Sequence, residues 1–275
     1  VGSLAKSLQE YDNVNLSSNM SSDNAFVQSL RNATYPVGGE SSYHYCLGVL
    51  TRGSISDGYL DVISNRHQNA QANTRRVFDH FANQMMIQDA DYPPNQTAHY
   101  SPMNYEGHRR GVYYNATADI GNPRGAGTTY FHELAHMIDH ASTGYQGNLS
   151  NTVEFRNALI EDGQRIHRQY NRLPSEQQTE VLTRLRSDSA HSFSDLIDAT
   201  TNGQLHGSYG HSRDYWSRSG NLQAEAFAHF FEASMGESDK LELLANFFPT
   251  AFGVFSTLID SIQPDQYVRV LERSR

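Results

Sequence analysis

The chain has 275 residues, 37% of them hydrophobic and 11% aromatic, with 21 Lys and Arg against 30 Asp and Glu for a formal net charge of -9. That length and apolar content suffice for one large core or two small ones, and no run approaches the 18 or so apolar residues of a membrane span, so a soluble protein is expected. The acidic balance, with basic pairs only at Arg75-Arg76 and Arg109-Arg110, excludes a general nucleic-acid surface, and the single cysteine, Cys46, excludes an internal disulfide framework.

The N-terminal 42 residues are rich in Ser and Asn and are punctuated by Tyr35-Pro36-Val37-Gly38-Gly39. Residues 1–65 are therefore read as a lead-in or helical arm, and residues 66–275 as the main domain. The missing initiator Met and the absence of a basic-then-apolar leader suggest a processed chain or a region of a longer one. Cys46 lies in an apolar run and reads as a buried structural thiol. From Gln68 to Gln88, the spacing of Val77, Phe78, Phe81, Met85 and Ile87 predicts an amphipathic helix that stops before Asp91-Tyr92-Pro93-Pro94. Gly111 to Ile120, rich in β-branched and aromatic residues, predicts an edge strand, followed by a Gly/Pro loop from Gly121 to Gly127.

A helix is then expected from near Thr129, capped by Thr128, Thr129 or a nearby residue, with Leu134, Ala135, Met137 and Ile138 on its buried side. It carries Phe131-His132-Glu133-Leu134-Ala135-His136, a His-Glu-x-x-His pattern. Helical residues four apart lie about 6 Å along the axis and about 40° around it, so both imidazoles can grip one metal ion. Glu133 is not needed as a ligand, which leaves its carboxylate free to take a proton from water on the metal. His140 continues the series but sits about 12 Å from His132 along a straight helix, too far to share an ion with it. Asp139 is a candidate to orient a ligand imidazole, with Asp198 and Asp260 as alternatives. The metzincin extension is excluded, because Asp139 and Ser142 stand where Gly and His are required.

Helices are expected over Val153 to Leu173 and Ser175 to Arg186, split by Pro174, and later over Leu241 to Phe248, Phe252 to Ile262 and Tyr267 to Leu271. Between them, Gly220 to Met235 has helical apolar spacing at Leu222, Phe227, Phe230, Phe231 and Met235. Glu225 lies on a second stripe with small neighbours and is the candidate third ligand of a His2Glu zinc site, with Glu232 or Asp214 as alternatives.

The combination of His132-Glu-Leu-Ala-His-Met-Ile-Asp139 with Ser208-Tyr209-Gly210 and Ala224-Glu225-Ala-Phe-Ala resembles the lethal-factor-type, gluzincin-like zinc metallopeptidases. It is also similar to the metallopeptidase-like region of some phage minor head proteins, through Gly210 to Trp216 and Glu225 to His229. The resemblance covers about residues 110 to 235. It implies an α+β, zincin-like fold with a small sheet, an active-site helix and a mainly helical C-terminal half. It further implies Zn2+ held by His132, His136 and Glu225, with Glu133 as general base and Tyr209 as phenol donor to the oxyanion. The chain departs from the family in the longer interval between Tyr209 and Glu225 and in His229, where an acidic residue is repeated, so His211 and Tyr215 rival Tyr209. The expected activity is hydrolysis of a protein or peptide substrate. Two further expectations are a phage head component that keeps the zinc without proteolysis, with head proteins as partners, and a secreted toxin or effector protease.

Overall fold

The computed structural model describes residues 43–46, 49–52, 57–82, 86–89, 98–102, 111–114, 116–187, 191–207 and 209–262. The expected lead-in over 1–42, the break at 91–94 and the helix over 267–271 lie outside the described residues. The fold is α+β. A five-stranded sheet is built from β1 (Tyr43–Cys46), β2 (Val49–Arg52), β3 (Met86–Asp89), β4 (Ala98–Ser101) and β5 (Gly111–Tyr114), in the order β1-β2-β3-β5-β4. The two inner pairings, β2 with β3 and β3 with β5, are parallel, and the outer pairings are antiparallel.

The first half of the chain differs from its sequence pattern at two elements. The helix expected over Gln68 to Gln88 is instead α1 (Asp57–Gln68) and α2 (Ala72–Ala82), followed by β3. Val77, Phe78 and Phe81 keep their helical spacing and are fully buried, but Ile87 pairs with Thr51 and Val112 in the sheet centre. A short apolar run suits a buried strand as well as a helix, and tertiary pairing decided this one. The strand expected over Gly111 to Ile120 ends at Tyr114 and gives way to α3 (Ala116–Ile120). It is also an inner strand; the edge beside the motif helix is β4, which runs antiparallel to β5. The division drawn at residue 65 falls inside α1, and β1 and β2 complete the same sheet as β3 to β5.

The remaining helices are α4 (Thr128–Ala141), α5 (Val153–Tyr170), α6 (Ser175–Leu185), α7 (His191–Thr200), α8 (Arg213–Ser217), α9 (Asn221–Ser234), α10 (Ser238–Phe247) and α11 (Pro249–Ser261). Helix α4 lies against β4 and β5 on one side and makes its most extensive packing with α9 on the other. Both are buried almost all round: Phe131, Leu134, Ala135 and Ile138 of α4 and Ala226, Phe227, Phe230 and Phe231 of α9 have no solvent exposure. Phe155, Phe248, Phe252 and Phe255 surround Phe230 at centroid distances of 5.4–6.4 Å.

Arg66 of α1 fixes the two central helices to one another. Its guanidinium donates to the backbone oxygens of Glu232 (2.6 Å) and Met235 (2.9 Å) at the end of α9, and to Ala126 O (3.2 Å) and Thr128 Oγ1 (3.1 Å) at the start of α4. It also pairs with Glu237 at 3.1 Å and lies over the Phe131 ring at 4.8 Å. Gly236 turns the chain there at φ 82°, and a Cβ on it would fall 2.4 Å from Arg66 O, so only glycine fits. The start of α4 is capped by neither Thr128 nor Thr129. Asp119, at the end of α3, accepts from the backbone N–H of Thr129 (3.2 Å) and Tyr130 (3.4 Å), placing a carboxylate at the positive end of the helix.

Candidate metal centre

One helical turn separates His132 from His136, and their Nε2 atoms lie 3.2 Å apart. Helix α9 brings Glu225 Oε2 to 3.2 Å from His132 Nε2 and 3.6 Å from His136 Nε2. All three side chains are buried or nearly so, and Glu225 Oε2 is a buried carboxylate oxygen with no hydrogen-bond partner among the described residues. Without a metal, a proton on His132 balances the Glu225 carboxylate 3.2 Å away, and a cation in its place would meet both imidazole nitrogens and that oxygen together. A metal ion satisfies all three at once. These residues can therefore hold a metal ion. Glu133 is half-buried, and its charge acts on His136, Tyr209 and Tyr215.

Around the three donors runs a closed circuit of buried polar side chains. His132 Nδ1 meets Glu232 Oε2 at 2.9 Å, and Glu232 Oε1 accepts from Ser192 Oγ at 2.6 Å and lies 3.4 Å from His229 Nδ1. His229 Nε2 is 3.3 Å from Asp195 Oδ2, and Asp195 accepts both from the backbone N–H of His211 (2.8 Å) and from its Nδ1 (3.0 Å). The His211 ring stacks on Tyr215 at 4.2 Å and 19°, and the Tyr215 hydroxyl donates to Glu225 Oε1. Other triads in this circuit also place donor atoms close together, namely His132, His229 and Glu232, and Asp195, Glu225 and His229. There, however, the carboxylates of Glu232 and Asp195 already accept ordinary hydrogen bonds, whereas Glu225 Oε2 does not.

The charges follow from this packing. Burial disfavours an imidazolium at His132, yet the Glu225 and Glu232 carboxylates outweigh it and lift the ring to about 9. His229 is likewise lifted to about 9 against its burial, by Glu232 and Asp195. Burial opposes ionisation of Asp195, but His211 and His229 hold it down at about 2. Glu225 and Glu232 stay well below the usual carboxylate range for the same reason. A ligand imidazole must be neutral, so metal has to displace a proton from His132. The apparent metal affinity is accordingly expected to rise by about tenfold per pH unit between pH 6.5 and about 9 for that proton alone. Competition with a chromophoric chelator at pH 6.5, 7.5 and 8.5 measures it; an affinity that does not change with pH contradicts the ion-paired state of His132.

No family model, curated protein or solved structure matches the chain. The centre therefore rests on its own geometry, and that geometry sorts the residues named from sequence. His132, His136 and Glu225 come together; Asp214 does not, and Glu232 braces His132 from behind instead of completing the triad. His140 is structural, with Nδ1 2.9 Å from the Tyr100 hydroxyl and its ring against Tyr145. Asp139 does not orient an imidazole. It accepts from Ser150 N (2.7 Å) and Oγ (2.6 Å), tying the loop after α4 back to the helix, and its burial pushes it up to about 6 despite these bonds. Asp198 binds His206 (2.8 Å) and Asp260 binds Asn73 (3.3 Å), both outside the circuit. Tyr209 stands at the edge of the group, its ring 5.6 Å from His211 and its hydroxyl pushed up to about 12, first by burial and then by Asp195.

Sequence reasoning did not find Asp195, Ser192 or the bracing role of Glu232. The available signal was weak: His229 and Glu232 lie three apart on the same stripe as Glu225, and Phe193, Leu196 and Ile197 space a short buried helix that carries Asp195.

Proposed function

We propose that this chain is a zinc-dependent metalloendopeptidase of zincin-like, lethal-factor-type architecture. The observation that carries the reading is the triangle of His132 Nε2, His136 Nε2 and Glu225 Oε2, with sides of 3.2, 3.2 and 3.6 Å. Zinc bonds of about 2.0–2.2 Å at tetrahedral angles set neighbouring donors about 3.3–3.6 Å apart, so the triangle has the size of one face of a zinc tetrahedron. Structural zinc sites are closed by four protein ligands, whereas catalytic ones have three. Three donors converge here among the described residues, beside the half-buried Glu133. His132 is held in orientation by Glu232 through Nδ1, as metal-bound imidazoles commonly are.

Zinc, when bound, supplies a Lewis acid that polarises a carbonyl and makes water a better nucleophile at neutral pH. Glu133 accepts the proton of the water that attacks the peptide carbonyl carbon. It then delivers that proton to the leaving nitrogen as the C–N bond breaks, giving a carboxylate and an amine. His211 is the better donor to the developing oxyanion than Tyr209. Asp195 takes its Nδ1–H and supports its positive charge, which leaves Nε2–H for the substrate. The Tyr215 hydroxyl is committed to Glu225 and steadies that ligand. An extended substrate can add to the sheet along β4, the edge strand packed on α4, through backbone hydrogen bonds.

The zinc-loaded protein should cleave members of a mixed peptide library, read by mass spectrometry, with cleavage lost on chelation and restored by zinc. In the same assay His211→Ala should lower kcat by about 100-fold or more with zinc retained, and Tyr209→Phe should change it little. Stoichiometric zinc with no cleavage of any peptide would overturn the reading in favour of a metal site kept for assembly or stability.

A further inference from the structure

Beside the metal centre, on the far side of α8, lies a cavity of about 430 Å3 whose lining includes Arg156, Arg213, His167, Trp216, Ile160 and Leu222. It shares three helices with the centre. Tyr215 and Trp216 are consecutive on α8, Leu222 precedes Glu225 by three residues on α9, and the end of α7 that follows Asp195 forms one wall. Two guanidinium groups border this one cavity, both on exposed side chains. Among the described residues neither Arg156 nor Arg213 has an ion-pair partner. The one acid in the lining, Asp198, is bound to His206 at 2.8 Å.

Arg213 reaches the cavity beside Gly203. Its guanidinium lies close to Gly203, whose φ of +75° turns the chain there and where a Cβ would come within 3.2 Å of Nη2. Trp216 lines the same space and has a buried indole N–H with no hydrogen-bond partner among the described residues. Two guanidinium groups, with the Trp216 ring and the apolar side chains of Ile160 and Leu222 in the same lining, suit an ionised carboxylate on a short aliphatic stem.

We propose that this cavity binds the side-chain carboxylate of an acidic residue in a peptide. As a statement about substrate it rests on the peptidase reading, and it makes the enzyme one that selects acidic segments at a subsite away from the metal. Binding itself does not depend on the metal. Trp216 is the single tryptophan of the chain, so its fluorescence reports the cavity directly.

The test titrates metal-free and zinc-loaded protein with acetyl-Ala-Glu-Ala-amide, its Gln counterpart and glutarate, following Trp216 emission. The Glu peptide should bind saturably in both forms and at least tenfold more tightly than the Gln peptide, since each charge-assisted hydrogen bond contributes about that much. The double variant Arg156→Gln, Arg213→Gln, with two exposed side chains exchanged and its melting temperature unchanged, should lose this preference. Equal affinity for the Glu and Gln peptides, a preference kept in the double variant, or binding of glutarate without binding of the blocked Glu peptide would each overturn the proposal. Cleavage of the peptide library with no Trp216 response would remove the subsite and leave the peptidase standing. A Trp216 response in a protein that cleaves nothing would leave the site and remove the peptidase.

Discussion

Replacing Glu133 with Gln is expected to lower kcat by about a thousandfold or more while leaving the metal bound. The amide has the shape of the carboxylate but cannot take a proton from water, and a positioned general base contributes about 100- to 10,000-fold. The metal is spared because the converging donors are His132, His136 and Glu225, and Glu133 belongs to no group of converging donors among the described residues. Activity and metal content of the same preparation check this together. Loss of activity with loss of metal would make Glu133 part of the ligand set, and full activity in Glu133→Gln would remove it from the chemistry.

The second large effect is on stability. Glu232 is completely buried and is the shared partner of His132, His229 and Ser192. Glu232→Ala would leave two buried imidazoles, both lifted to about 9 by their carboxylates, without that counter-charge. Removing one member of a buried ion pair costs about 3–5 kcal/mol, which for a domain of this size lowers the melting temperature by on the order of 10 °C. Metal affinity should fall by about 10- to 100-fold as well, because His132 loses its orienting partner. Glu180→Ala, which breaks the surface pair with Arg184 (3.2 Å), should cost less than about 1 kcal/mol. The stability has a pH signature in the metal-free protein. Asp195 is depressed to about 2, so its contribution is present above about 4 and fades as pH falls toward 2. His229 is raised to about 9, so its contribution is complete below 6.5 and fades as pH rises toward 9. These two groups together contribute most between about pH 4 and 6.5; Asp139, raised to about 6, opposes stability as pH rises above about 4, and Glu232→Ala should flatten the alkaline limb. Thermal melts of the metal-free protein across pH measure both; a loss below about 1 kcal/mol in Glu232→Ala would show the circuit to be dispensable.

The parts of this arrangement legible in the sequence are those carried by local periodicity. His132, Glu133 and His136 announce themselves because a helix fixes the i, i+4 geometry, and the apolar stripes of α4, α5, α6, α9, α10 and α11 lie where the spacing of Leu, Phe and Met requires. Glu225 was legible for a weaker reason: a carboxylate among Ala and Phe on a buried helix must have a partner. What lay hidden depends on contacts distant in sequence. Ile87 is a strand residue because β2 and β5 flank it, which no window around residue 87 reveals. Asp139 reads as an ideal partner for a ligand imidazole three residues away, yet Ser150 claims it. The orienting role falls to Glu232, 100 residues from the histidine it holds. Asp119 caps α4 from a neighbouring helix, whereas local sequence points to Thr128, Thr129 or a residue near them.

If two helices bring His132, His136 and Glu225 onto a single zinc ion, zinc content must follow Glu225 and ignore His140. Elemental analysis of the purified protein after supply of zinc, for the unchanged chain beside Glu225→Ala and His140→Ala, tests it most directly. About one zinc per chain is expected in the unchanged protein and in His140→Ala, with loss of zinc in Glu225→Ala. No zinc in the unchanged chain, or a full complement in Glu225→Ala, would contradict it.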